Sequence, residues 1–460
     1  MVPSPPLSFA LQANRSAPKI KHIIIIVQEN RSFNNLFYGY PGAKTASYGY
    51  DKDGKKIALK PVTLATSWDL QHNAKGFLAA CNGTGKIPGT HCRMNGFDNE
   101  TWTCTMKKSA TSGGNLEPAA GATPPPCPNP NPPYSYVPHD EVKPYFDMAK
   151  QYVLADEMYA SDYDSSSFIS HQYIITGRNP QSSVDYPDGS WGCSGAPGDV
   201  IGILGADRQL PDPGKKNDYE PPCWDPQTLG DELDTAGLDW AFYAVPVAGK
   251  GALRPDGGSS RGRGIWSAYQ AIKHIYDGPD WSQDVLSPPA KFLNDLGRGS
   301  LRSVTWITPT YANSDHGGSA SKTGPSWVTS LVNSIGESPY WDSSAIFVFW
   351  DDYGGWYDPE KPSYVDNDGL GARLPLLIIS PYAKRGHVSH VHYEHGSILK
   401  FVEEQFGLHA LSASDQRAKS PSPDCFDFSQ PPRKFVPIEA SHGATYFENE
   451  PLDTRTPDSD

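Results

Sequence analysis

Lys21-His22-Ile23-Ile24-Ile25-Ile26-Val27-Gln28-Glu29-Asn30-Arg31-Ser32-Phe33 runs five consecutive β-branched residues into a carboxylate, an amide and a guanidinium, with no turn residue between. Such a run reads as a strand buried on both faces, the kind found in parallel sheets covered by helices. Open α/β sheets place their chemistry at the carboxyl ends of those strands, which is where Glu29 and Asn30 stand.

The pattern recurs along the chain. Tyr152 to Ala155, Trp240 to Tyr243, Val304 to Ile307, Ala345 to Trp350 and Leu374 to Ile379 read as further strands. Amphipathic segments from Asp140 to Gln151, Gln227 to Ala236, Ser326 to Ile335 and Gly396 to Phe406 read as helices between them. This alternation predicts an α/β domain with a mostly parallel central sheet. Residues from about 40 to 135 carry four cysteines and the run from Ala122 to Pro133, too rich in proline for core elements, and read as a loop excursion. A second Gly/Pro-rich excursion covers about 185–226, and 408–460 reads as a C-terminal wrap. With no internal repeat and no linker, the expectation is one domain over 1–460 with its core at about 20–407.

Composition narrows the function classes. The 460 residues include 43 glycines, 44 prolines and 12% aromatics, which suits long ordered loops. A formal net charge of -13 disfavours nucleic acid as a partner, because backbone binding needs clustered Lys and Arg. No apolar run approaches the roughly 20 residues of a membrane span. The seven cysteines lie mostly in loops and none has the CxxC spacing of a zinc ribbon. They fit disulfides of an oxidising compartment, with Cys193 paired to Cys223, the first four paired among themselves and one left free. The expected location is secreted or periplasmic. The chain opens Met-Val-Pro-Ser-Pro without an apolar leader, so an export signal would have been removed and replaced by a start Met.

Four groups of residues could carry chemistry. Glu29-Asn30 is the first, with a plain turn after a strand as its bland alternative. Trp350-Asp351-Asp352-Tyr353-Gly354-Gly355-Trp356-Tyr357-Asp358 is the second. Its adjacent carboxylates repel unless a cation or an arginine neutralises them, and its glycines let backbone approach closely; two exposed acids in a turn is the alternative. Both strand ends together supply three carboxylates and an amide, a hard-oxygen set suited to a divalent metal. The third group, Asp162 to Gly177, sets a serine cluster before an apolar helix, either as N-capping or as a hydroxyl placed where the helix N-terminus favours phosphate. A metal there would ease the loss of its proton. The histidines are the fourth: His72, His316 and the trio His390, His392 and His395, whose HxH spacing is zinc-ligand-like, although a loop histidine is as often a surface residue.

These segments resemble, in order, the signatures of one family. Glu29-Asn30-Arg31-Ser32-Phe33 matches the ENRSF signature of the phosphoesterases that include bacterial and plant phospholipases C and acid phosphatases of the AcpA type. Ser167-Phe168-Ile169-Ser170-His171-Gln172 resembles the nucleophile segment of the acid phosphatase branch, and Asp351 to Asp358 resembles the acidic DExGGxxDH segment. Gly371 to Pro375, Ser380 to Ala383 and His390 to Phe401 resemble the C-terminal block. The resemblance implies an alkaline phosphatase-like three-layer sandwich with helices on both faces of the sheet. It implies one divalent metal ion held by Glu29, Asn30, Asp351, Asp352 and Ser167, with Ser167 also the nucleophile that forms a phosphoseryl intermediate. It further implies His72 and His316 as catalytic and phosphate-binding residues, with Asn30 and Asp315 beside the substrate. The implied substrates are phosphate-ester small molecules or phospholipid head groups. The chain departs from the pattern at Asn34, at Asp358-Pro359, at Tyr393-Glu394-His395 and at Gly177-Arg178-Asn179-Pro180. Loss of the phospholipase motif at the last of these favours the phosphatase branch.

Two other readings compete. Gly258-Ser259-Ser260-Arg261-Gly262 fits the GxSxG of serine esterases, but Pro255-Asp256-Gly257 before it and Gly262-Arg263-Gly264 after it suit neither the strand nor the helix of a nucleophile elbow. A non-catalytic, metal-stabilised binding protein is the non-enzyme alternative.

Overall fold

The run Ile23 to Val27 lies at the centre of the molecule. A computed structural model describes residues 18–104, 127, 129–164, 166–188, 192–194, 200–212, 214–245 and 266–453. Gly258 to Gly262 lies outside them. The strands of the central sheet are β1 (His22–Gln28), β2 (Val153–Tyr159), β3 (Trp240–Tyr243), β4 (Val285–Leu286), β5 (Val304–Ile307), β6 (Ser344–Trp350), β7 (Arg373–Ile379), β8 (His387–Ser389) and β9 (Tyr393–Glu394). They are ordered β4-β3-β5-β1-β6-β7-β2-β8, with β9 also beside β2. Only β7 opposes the common direction, running antiparallel to β6 and β2, so the mostly parallel sheet read from sequence is the one observed.

The longer helices are α1 (Ala74–Cys81), α2 (Lys143–Gln151), α3 (Ser167–Thr176), α4 (Leu229–Thr235), α5 (Gly324–Gly336) and α6 (His395–Phe406); the shorter α7 (Ala413–Arg417) and α8 (Ala444–Asn449) follow. Alternate side chains of β6 meet different helix layers. Phe347 meets Phe401 edge-on at 5.0 Å and Phe349 packs at a tilt on His395 at 5.4 Å, both on α6, whereas Trp350 meets Tyr145 of α2 at 5.0 Å. β1 pairs with β6 in register from His22↔Ser344 to Gln28↔Trp350, so its side chains divide between the same two layers. This is why Ile23 to Val27 shows no polar alternation: every one is fully buried, each worth about 1.5–3 kcal/mol.

The described residues between 40 and 104 pack into this core in part, with Leu64, Phe77 and Phe97 fully buried in it. Disulfides join Cys81 to Cys92, Cys104 to Cys127 and Cys193 to Cys223, and Cys425 is free and buried. Residues 183–188, 200–203 and 219–220 form a small antiparallel sheet in the second Gly/Pro-rich stretch. Beyond Leu408 the chain returns to the body: Phe447 of α8 packs on Trp327 of α5 at 5.2 Å, and Glu450 and Asp453 bond to Asn313 and Ala312. No helix among the described residues is long and apolar enough to cross a membrane.

Candidate active site

Because β1, β2, β5 and β6 point the same way, the segments that follow them gather at one edge of the sheet. Glu29 and Asn30 follow β1, Ser167 opens α3 after β2, His316 follows β5, and Asp351 and Asp352 follow β6. Asn30 turns the chain with φ +54°, a left-handed conformation that Asn tolerates better than most residues. Its carbonyl lies against the Asp351-Asp352 loop so closely that a Cβ at Gly354 (φ +59°) would come within 2.1 Å of it.

The structure brings Glu29, Asn30, Ser167, Asp351 and Asp352 into one buried cluster. Ser167 Oγ lies 3.3 Å from Glu29 Oε2 and 3.4 Å from Asp352 Oδ2, and Asn30 Nδ2 donates to Asp352 Oδ2 at 2.9 Å and to Ser167 Oγ at 3.3 Å. The backbone N–H of Asn30 donates to Asp351 Oδ1 at 3.3 Å, and that of Gly354 to Asp352 Oδ1 at 2.7 Å. Burial and the neighbouring Asp351 and Asp352 push the Glu29 carboxyl well above its ordinary range. Burial would raise Asp351 too, but His171 outweighs it and holds that carboxyl down at about 2.

Asn30 Oδ1 is buried with no hydrogen-bond partner. An orphaned amide oxygen among three buried carboxylates and a hydroxyl is a donor set for a hard divalent cation. The spacings of Ser167 Oγ from Glu29 Oε2 and Asp352 Oδ2, 3.3 and 3.4 Å, match the about 3.0–3.4 Å ligand-to-ligand edges of an oxygen shell of about 2.1–2.4 Å radius. The donors present therefore fit such an ion.

His72 Nε2 lies 2.9 Å from Asn30 Nδ2, and its Nδ1 lies 2.7 Å from Leu70 O. The His316 ring is 5.6 Å from that of His72, and its Nδ1 bonds to Gly317 O, with Asp69 Oδ2 3.8 Å away. Asp69, His72 and His316 form a second buried group of convergent donors. Phe168, Trp224, Trp266 and Tyr311 line the adjacent apolar cluster, with Trp266 and Tyr311 6.1 and 5.3 Å from His316.

Two sequence-read groups are not gathered into the cluster. Asp315 Oδ2 accepts from Tyr145 Oη at 2.8 Å and from Trp350 Nε1 at 3.0 Å, on the α2 side of the sheet, and so does not join the residues expected beside the substrate. Burial raises its pKa to about 6. His390, His392 and His395 do not converge. His390 bonds to Asp156, His392 stacks on Tyr159 at 4.3 Å, and His395 is buried against Phe349, its pKa pushed down to about 3 by burial.

Arg31 spans the region as a strut. Its Nε donates to Asp315 O at 2.6 Å, its other nitrogens to Leu64 O and Asn35 Oδ1, and its plane lies 4.4 Å over Trp356. Sequence reasoning singled out neither His171 nor Asp69. The signal for His171 is its spacing: four residues after Ser167 on a helix, it shares the face of the serine.

A family model described as Phosphoesterase family matches residues 20–409. Similar proteins include the non-hemolytic phospholipase C of Burkholderia pseudomallei, 22% identical over 87% of this chain and 57% of that protein. Phospholipase C A of Mycobacterium tuberculosis is 22% identical over 91% of this chain and 79% of its own, and non-specific phospholipase C1 of Arabidopsis thaliana is 22% identical over 86% and 69%. The chain thus spans little more than half of the Burkholderia relative. Among solved structures, a protein in the alkaline phosphatase superfamily from Vibrio parahaemolyticus aligns over 88% of this chain and 72% of its own, with 10% identity and a TM-score of 0.37.

Proposed function

The chain belongs to the phosphoesterase family, and on that premise we propose that it hydrolyses phosphate monoesters, with Ser167 as nucleophile and a phosphoseryl intermediate. The observation that carries this reading is the Ser167 hydroxyl: it opens helix α3 and stands within 3.3–3.4 Å of Glu29, Asn30 and Asp352. Glu29, Asn30, Asp351, Asp352 and Ser167 would hold one divalent ion, whose positive charge favours the serine alkoxide and offsets charge that develops on the phosphoryl group.

Ser167 Oγ forms the bond to phosphorus as the ester oxygen leaves, and a water later breaks the Oγ–P bond to release phosphate. Carboxylate oxygens of Glu29 and Asp352 lie where the serine proton departs. His72, steadied through Leu70 O, and His316, steadied through Gly317 O, would hold phosphoryl oxygens or protonate the leaving oxygen. A phospholipase C reading is the second. It is supported by the phospholipase relatives and by the apolar wall of Phe168, Trp224, Trp266 and Tyr311 beside the nucleophile, which suits a bulky leaving group.

One assay separates the two: rates on an aryl phosphomonoester, an aryl phosphodiester and phosphatidylcholine, each with wild type and Ser167→Ala. Monoester turnover that vanishes in the variant, together with a phosphoserine at 167 trapped by acid quench and found by mass spectrometry, is the expected result. Turnover unchanged in Ser167→Ala removes the serine from the mechanism. Loss of activity on chelation, restored by a divalent ion, tests the cation.

A further inference from the structure

We infer that His171 is a positioning residue, which holds one oxygen of Glu29, Oε1, so that the other, Oε2, faces Ser167; this rests on the oxygen cluster being the cation site. His171 is fully buried on α3, one turn beyond Ser167. Its Nε2 lies 3.0 Å from Glu29 Oε1 and 3.6 Å from Asp351 Oδ2. With Glu29 ionised, as a bound cation requires, its oxygens only accept, so Nε2 carries the hydrogen, and Nδ1 has no hydrogen-bond partner.

Glu29 divides its two oxygens between different neighbours, giving Oε1 to His171 and Oε2 to Ser167. Asp351 Oδ1 accepts from the Asn30 N–H, and its Oδ2 is buried without a hydrogen-bond partner, 3.6 Å from His171 Nε2. A carboxylate anchored by one oxygen loses its rotational freedom and presents the other in a fixed direction. Outer contacts of this type govern how well a ligand set is organised before the ion arrives. One helix thus delivers both the nucleophile and the group that aims a neighbouring acid. The serine and Glu29 are set by a single rigid spacing of four residues.

The test uses the full chain and Mn2+ alone as probe, with wild type, His171→Phe and His171→Gln. Phe keeps a ring and removes the donor; Gln restores a side-chain N–H. Calorimetry is expected to show affinity for Mn2+ about 10–100-fold weaker in His171→Phe and mostly recovered in His171→Gln. The kcat at saturating Mn2+ should fall far less than the affinity, a split that general destabilisation would not produce. Wild-type affinity in His171→Phe overturns the inference. So does a directly bonded nitrogen in the pulsed EPR spectrum of Mn2+-loaded wild type that disappears in His171→Gln, since that makes His171 a ligand. Should His171→Phe not fold, the EPR comparison of wild type with His171→Gln decides alone. A wild type that binds no Mn2+ and stays active after chelation instead sinks the cation site itself.

Discussion

Glu29 and Asp351 stand directly after β1 and β6, whereas His72 and His316 stand on irregular connections, and the two halves of the site are held by different forces. On the carboxylate side, seven consecutive register pairs from His22↔Ser344 to Gln28↔Trp350 determine where the acids lie. On the His316 side, single side chains do much of that work. Gln28 bonds to Asn313 O and to the Asp315 N–H, Arg31 ties the Asp315 carbonyl to Leu64, and Glu450 holds Asn313 at 2.7 Å. The His72 segment has a backbone bridge, Leu70 with Trp102. Backbone ladders share their load over many bonds, so the acids should resist any one change outside the cluster. His316 should yield more readily to the loss of a single strut.

The largest test of this contrast is Ser167→Ala, which is expected to lower kcat by at least about 10^4-fold with little change in thermal midpoint. Next comes Glu29→Gln, expected to abolish measurable divalent-ion binding in calorimetry and activity together. Retention of either one breaks the proposed link between them. Arg31→Met acts on the other half. Three acceptors lose their donor, so a stability loss of about 2–4 kcal/mol in urea melts and a drop in kcat/KM of about 10–100-fold are expected, with affinity for the ion nearly kept. An ion affinity that falls in step with activity would show that the halves are one unit. Glu450→Ala removes only one bond to the His316 connection, worth about 1 kcal/mol, and should raise KM no more than about fivefold.

The smallest effect belongs far from both halves. Glu403 on α6, buried beside Asp415, has its pKa raised to about 9, by burial first and then by that neighbour. It stays protonated in the native state over a range in which the unfolded chain, with an ordinary carboxyl near 4.5, has lost the proton. Stability from this group is therefore present at pH 5 and eroded as pH rises toward 9. Glu403→Gln should flatten the difference between urea midpoints at pH 5 and pH 9 without altering kcat. An unchanged pH slope would count against the pairing.

The same contrast explains what could be read from sequence. Ile23 to Val27 and Ala345 to Trp350 declare strands because both faces of a covered parallel sheet demand apolar side chains, and the acids beyond them follow by position. Asp315 and His316 are adjacent in sequence, yet His316 lies near Asp69 while Asp315 bonds to Trp350, a divergence that adjacency does not reveal. The trio at 390–395 is alike: the residues between β8 and β9 and the start of α6 carry the rings to Asp156, over Tyr159 and into the core. His171 acquires meaning only once the helix is known to start at Ser167.

The approach of Asn30 to the opposite loop carries a message for anyone who diversifies this chain. At position 354 no side chain can be accommodated, because the obstacle is a main-chain oxygen at 2.1 Å that no repacking removes. A saturation library selected for function should return glycine there and almost nothing else, whereas the exposed Lys361, Ser363, Tyr364 and Val365 should drift. That contrast would make the closeness of the two strand ends visible from sequencing reads alone.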